Sequence, residues 1–315
     1  MQLFLAPMEG VVDHQVRDIL SALGGLDGCV TEFIRVTQNT LPRRVFRRYA
    51  PELDHQCLTP SGTPVKVQLL GGQPEPLALN AQRAVRAGAT AIDLNFGCPA
   101  KTVNNSDGGA CLLRTPERVY GIVAAVRAAL PASIPVSAKI RLGFDDTSRY
   151  LENALAVADA GASELTVHAR TKRDGYRPPA YWEYIARIRE ALSIPVIANG
   201  EIWSPEDWER CRSVTGCDRF MLGRGLLARP DLARAIKARF TGEAYTPMPW
   251  AEVCQLLHAY YRLSQPHYPT KHSGNRIKQW LMYLQREYPQ AATFFENIKR
   301  EREPARLEAA FRAAA

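Results

Sequence analysis

Ile194-Pro195-Val196-Ile197-Ala198-Asn199-Gly200-Glu201 reads as a short apolar strand that runs straight into a polar, glycine-containing turn. A nearly continuous apolar strand suits burial on both faces, the situation of a parallel sheet covered by helices. Segments of the same kind stand at 3–8, 29–36, 65–70, 91–96, 135–142, 164–169 and 219–222, which with 195–198 makes eight. Between them the pattern turns helical, as at 74–87 before Gly88, at 115–130 opening on Thr-Pro-Glu, and at 204–214 opening on Ser-Pro-Glu-Asp. Eight strand and helix units in alternation predict an α/β fold closed into a (β/α)8 TIM barrel, in preference to an open doubly wound sheet.

The barrel is expected over 1–240, followed by a Pro-containing linker at 241–250 and a small helical domain at 251–315. In that last part Val253, Leu256, Leu257, Tyr260 and Tyr261 share one helical face, as do Ile277, Trp280, Leu281, Leu284 and Tyr288. No repeat of 20 to 50 residues occurs, and the Ala/Arg-rich end is the one biased tract.

Of the 315 residues 46% are hydrophobic, enough for one large core and too ordinary for a disordered or fibrous chain. No segment approaches the ~18 uninterrupted apolar residues of a membrane helix, and Met1–Gly10 lacks the pattern of a signal peptide, so a cytoplasmic protein without a membrane partner is expected. The seven cysteines (29, 57, 98, 111, 211, 217 and 254) are odd in number and form no Cys-x-x-Cys pair, which argues against a disulfide framework and a structural metal site. A formal charge of +8 permits a polyanionic partner.

In a barrel of this class chemistry is done where strands end. The expected ends carry Pro7-Met8-Glu9, Arg35, Gln68, Asn95 with Cys98, Lys139 with Arg141, His168 with Arg170, Asn199-Gly200-Glu201 and Gly223-Arg224. The last two units, glycines beside polar residues, suit a phosphate cradled by backbone N–H groups, with Arg224 adding a charge-assisted contact. Lys139 and His168 end adjacent strands and point into the barrel mouth, where a cation and a hydrogen-bond donor stabilise negative charge on a ring. A flavin fits this, with Gln68 on its pyrimidine edge and Pro7-Met8 behind the ring. Cys98 precedes a small, polar run at 101–110 that reads as a loop over the mouth, suited to act as a lid. A thiol there can protonate a carbon in a reduction.

These elements together resemble the tRNA-dihydrouridine synthases, flavin-dependent barrel enzymes that reduce uridine in tRNA. The resemblance runs from residue 6 to 225. It is carried by Ala6-Pro7-Met8, Val67-Gln68-Leu69, the specific Asp93-Leu94-Asn95-Phe96-Gly97-Cys98-Pro99 with Lys101 and Gly108-Gly109-Ala110, Lys139-Ile140-Arg141-Leu142-Gly143, Val167-His168-Ala169-Arg170-Thr171, Ile197-Ala198-Asn199-Gly200 and Gly223-Arg224-Gly225. Length and the short helical tail are similar to the bacterial C-type branch, associated with uridine 16. The resemblance implies that NADPH reduces FMN, and that flavin N5 then passes hydride to uracil C6 while Cys98 protonates C5. It implies that Pro7, Met8, Gln68, Lys139, His168, Asn199, Gly200, Gly223 and Arg224 hold FMN, with Glu9 and Glu201 also expected among the cofactor-binding residues, and that Asn95 orients the uracil. Glu201 departs from the Asp that many members carry after Asn-Gly.

A uridine reaches a barrel mouth only when flipped out of its stack, and the RNA backbone then needs basic contacts beside the pocket. Candidates are Arg35, Lys101, Lys271, His272, Arg276 and Lys278, with Tyr176 placed to stack on a nucleotide. The resemblance implies a monomer. Two other readings stand: an FMN barrel oxidoreductase acting on a free pyrimidine, which leaves the basic tail unexplained, and a non-catalytic RNA-binding protein, which leaves the lysine, histidine and cysteine unexplained.

Overall fold

The structure is a computed structural model that describes residues 1–314, apart from the side chain of Lys271. Among the described residues nine strands, all parallel, form one sheet: β1 (Gln2–Leu5), β2 (Gly28–Val30), β3 (Ile34–Arg35), β4 (Val65–Leu70), β5 (Ile92–Phe96), β6 (Val136–Arg141), β7 (Glu164–His168), β8 (Val196–Asn199) and β9 (Arg219–Leu222). β1 pairs with β9 on one side and β2 on the other, and β2 also pairs with β4, so the sheet closes on itself as the expected TIM barrel. β2 and β3 are two pieces of one stave, where a single strand over 29–36 is expected. The reason is local: the Gln68 N–H donates 3.0 Å to the hydroxyl of Thr31, a side chain taking the place of a ladder carbonyl. Strand ends also retreat at prolines. Pro135 and Pro195 have no N–H for the ladder, so β6 and β8 begin one residue later, and at Pro7 the stave of β1 has already ended.

The strands are not equally apolar on both faces. Outward positions such as Val67, Leu94, Ile140, Val167 and Ala198 are buried against the helices, whereas the alternating inward positions are largely polar. At the N-terminal end of the barrel Glu164 binds Lys66 and, at 2.9 Å, Arg219, closing that end with an ionic plug. Above it lie Phe4, Ala6, Val30, Ile197 and Met221, then the inward ends of β4 to β8. This alternation of period two sends Lys139, His168 and Asn199 to the mouth.

The helix Pro74–Ala87 has the expected bounds, and Pro205–Thr215 starts from a capping box in which Ser204 and Asp207 satisfy each other's backbone N–H. After the helix Leu232–Thr241 the described residues form four more α-helices, Trp250–Ser264, Asn275–Leu284, Pro289–Ile298 and Pro304–Ala314. Their apolar faces, including Tyr261, Ile277, Leu281, Phe294 and Phe311, join the same continuous core as the barrel helices. Among the described residues no helix is long and apolar enough to cross a membrane.

Candidate active site

At the C-terminal end of the barrel the strand ends surround a cavity of about 690 Å³, within the ~300–1,000 Å³ usual for ligand sites. It is lined by Pro7, Met8, Glu9, Gln68, Asn95, Cys98, Lys139, His168, Tyr176, Asn199, Gly200, Glu201, Gly223 and Arg224, all singled out from the sequence. Gly200 has φ +117° there, and a Cβ on it would sit 2.8 Å from the His168 ring, so glycine is what lets the turn after β8 pass behind that histidine.

Cys98 is set by a chain of hydrogen bonds that starts in the barrel interior. Ser137 donates to Asp93 (2.6 Å), Gln68 Nε2 donates to the other Asp93 oxygen (2.7 Å), and Asn95 Nδ2 donates to Gln68 Oε1 (2.8 Å). Asn95 Oδ1 then accepts the backbone N–H groups of Gly97 (3.0 Å) and Cys98 (2.9 Å), fixing the turn that presents the thiol. Arg141 Nε holds the Gly97 carbonyl at 2.8 Å. Gln68 and Asn95 therefore act first on the protein itself, each with one amide hydrogen left over. Burial pushes the Cys98 thiol above its ordinary range, against smaller opposing effects of the Ala100 N–H and Arg141, so it carries its proton at neutral pH.

The segment 101–110, expected as a loop over the mouth, is partly helical. It contains a helical turn, Lys101–Asn104, and runs into a 3-10 helix, Gly109–Arg114. Asn104 Nδ2 donates to the Cys98 carbonyl (3.0 Å), its Oδ1 accepts from Cys111 N (2.8 Å), and Arg118 clamps Asp107 with two bonds of 2.7 and 2.6 Å. Polar side chains that look like loop in sequence are here spent on strapping the segment down.

The opposite wall is cationic. Lys139 Nζ donates 2.9 Å to Asn199 Oδ1, whose Nδ2 donates 2.8 Å to the Met221 carbonyl. Burial, aided by Arg141, brings the Lys139 ammonium down to about 7. His168 is held well below its ordinary range by burial and by Arg141, Lys139, Arg170 and Arg224, so it is neutral and can donate one hydrogen bond. Burial alone would raise the Glu201 carboxyl, but hydrogen bonds from Arg170 and from Trp203 Nε1 (2.9 Å), with Arg224 3.9 Å away, keep it ionised below the usual carboxylate range. Glu201 thus serves to position the two arginines; its own charge would repel a phosphate. Arg141 and Arg224, with Lys139 when protonated, outnumber the carboxylates of Glu9 and Glu201 in the lining, and Glu201 is already paired with Arg170, which leaves this wall suited to an anionic ligand.

The expected RNA contacts divide. Arg35, Lys101 and His272 are exposed, and Tyr176, 53% exposed, rests with its ring centre 5.2 Å from the Arg141 guanidinium and 4.8 Å from that of Arg224. Arg276 is corrected. Its guanidinium donates to Tyr260 OH (3.0 Å), Val11 O (3.0 Å), Asp13 Oδ2 (2.8 Å) and Gly10 O, so its donors are spent inside the protein. Lys278 is half-buried with Nζ on the Glu301 carbonyl, which likewise removes it from a free basic surface. Lys271 lies outside the described side chains. Sequence reasoning does not single out Trp203, Phe33 or Tyr283, which also line the cavity, since aromatic residues in loops and on a distant helix carry no strand-end signal. It also passes over the exposed Arg43, Arg44, Arg47 and Arg48 on the helix after β3, where the doubled pairs are a visible signal.

Comparison with known proteins fits this geometry. A family profile described as Dihydrouridine synthase (Dus) matches residues 4–315. The chain belongs to the dihydrouridine synthase family. Within it, the chain is 51% identical to the tRNA-dihydrouridine(16) synthase of Pseudomonas putida, over 98% of this chain and 95% of that one. It is 54% identical to the protein of the same name from Shewanella oneidensis, over 95% and 93% of the two chains. Among solved structures, histamine dehydrogenase from Rhizobium sp. 4-9 superposes with a TM-score of 0.57 at 15% identity, covering 76% of this chain and 46% of that one. A 2-naphthoyl-CoA reductase complex gives 0.58 at 11% identity, covering 77% and 50%. Dihydrouridine synthases and these two oxidoreductases thus share the barrel.

Proposed function

We propose that the protein reduces a uridine of tRNA, at position 16 as in the names of its relatives, to 5,6-dihydrouridine, with FMN in the cavity and NADPH as reductant. The observation that carries this is the meeting in one cavity of a protonated thiol on Cys98 with the basic side chains of Lys139 and Arg224 and the neutral hydrogen-bond donor His168. The residues fit a flavin: Lys139, whose hydrogen-bond acceptor is the neutral amide of Asn199, would meet the anionic edge of the ring; Gly200, Gly223 and Arg224 would receive the phosphate; Pro7 and Met8 would back the ring. When bound, the flavin supplies the hydride for uracil C6.

The chain's own residues do the rest. Asn95 holds the turn of Cys98, and the Cys98 Sγ–H delivers its proton to C5. Exposed Tyr176 at the rim offers a stacking surface for the flipped-out nucleotide or its neighbour. Arg35 and Lys101 meet phosphates around the mouth. Cys98→Ala tests the assignment: the variant should bind FMN and be reduced by NADPH at the normal rate, yet transfer to tRNA should fall by at least ~100-fold, the scale of a lost general acid. Dihydrouridine formed at the wild-type rate, mapped by mass spectrometry at each D-loop uridine, would remove Cys98 from the mechanism.

A further inference from the structure

We propose that the helix Asn275–Leu284, with Arg286 just beyond it, is a working wall of the cofactor pocket, a positioning element that holds the loops around the ligand. The inference rests on the flavin reading above. Arg276, Trp280, Tyr283 and Arg286 are spaced by four, three and three residues, which places them along one side of a helix.

Each of the four reaches a different part of the barrel mouth. Arg276 grips the turn after β1, through Val11 O at 3.0 Å and the Asp13 carboxylate at 2.8 Å, just beyond Pro7 and Met8. Trp280 is buried and donates from Nε1 to the Leu227 carbonyl at 2.9 Å, in the short helix Arg224–Ala228 that follows β9. Tyr283 lines the cavity itself. The Arg286 guanidinium lies 4.0 Å from the centre of the Trp203 ring, in the turn after β8, and Arg224 lies 5.0 Å from the same ring.

β8, β9 and β1 are consecutive neighbours in the barrel, so one helix side spans three adjacent loops. The contact also runs as a ladder of alternating rings and guanidinium groups, from Tyr176 through Arg224 and Trp203 to Arg286. Arg224 is the ladder's member at the phosphate end of the pocket, and it is linked to Arg286 through the Trp203 ring on which both guanidinium groups stack. Arg276 is therefore spent on the pocket rather than on RNA. By linkage, a ligand that orders these loops tightens the docking of the helix, and a docked helix tightens the ligand.

The test uses the full-length protein stripped of flavin, titrated with FMN by fluorescence quenching. Arg286→Ala and Tyr283→Ala should each weaken FMN binding by roughly three- to tenfold. Arg286→Lys should restore most of the loss, and the melting temperature of the flavin-free protein should stay unchanged. In the wild type, which needs no substitution, FMN should slow amide hydrogen exchange across 275–286. If the wild type binds FMN while the variants bind it equally well and exchange at 275–286 does not respond, the helix has no part in the pocket. A wild type that takes up no FMN would instead overturn the flavin reading, and the inference with it.

Discussion

Lys139 shows how a single side chain can record the ligand a site is built for. Its ordinary value is 10.5, and burial beside Arg141 lowers it to about 7 with only the neutral amide of Asn199 as hydrogen-bond acceptor. Between those two values the unfolded chain holds a proton that the folded, ligand-free chain has released, so this residue makes stability rise with pH across that window. An anionic ligand against the ammonium restores the proton. At pH 8 FMN binding should therefore take up close to one proton, read from calorimetry in buffers of different ionisation enthalpy. Lys139→Met should abolish the uptake, and an uptake that survives in the variant assigns the proton elsewhere. His168 does not contribute, because a ring held neutral well below its ordinary range has no proton to exchange near neutrality.

Among the elements, the strap from Lys101 to Arg114 determines how the thiol is presented. Gly109, at φ +68°, leaves so little room that a Cβ there would lie 2.9 Å from the Cys98 carbonyl oxygen and 3.1 Å from its Cβ. Gly109→Ala should cost about 1–2 kcal/mol for the left-handed backbone and shift the cysteine turn. FMN uptake should stay normal while single-turnover transfer to tRNA slows by about tenfold, the effect of a displaced proton donor. Equal transfer rates would show that the turn is set by Asn95 alone. The strap was readable as a loop from its Asn, Ser, Asp and Gly content, but the sequence does not reveal which of those polar groups face the chain. Asn104 bonding both Cys98 and Cys111 is a matter of three-dimensional proximity.

At the scale of the whole molecule, the cationic rim predicts salt-dependent binding of tRNA, with Arg35 as one of its free charges. Arg35→Ala should flatten the plot of log affinity against log salt by about one unit. Arg276→Met should change affinity without changing that slope, since its guanidinium faces Asp13 and Val11 rather than solvent. A slope altered by Arg276→Met and untouched by Arg35→Ala would reverse the division of the basic residues made from the structure. The sequence by itself determined the barrel and most of its mouth. Short apolar runs in alternation with helices bury themselves in a parallel sheet covered by helices, eight such units favour its closure into a barrel over an open sheet, and in a barrel the residues at strand ends converge. It also marked the last glycine turns, because Gly200 answers to a local backbone demand. Only the tertiary structure decided what the C-terminal helices do. Arg276 and Trp280 look like a surface cation and a core residue in any helix, and their partners Val11, Asp13 and Leu227 lie more than fifty residues away in the chain. Such contacts depend on how the last helices dock against the barrel, a long-range packing choice that no local pattern encodes.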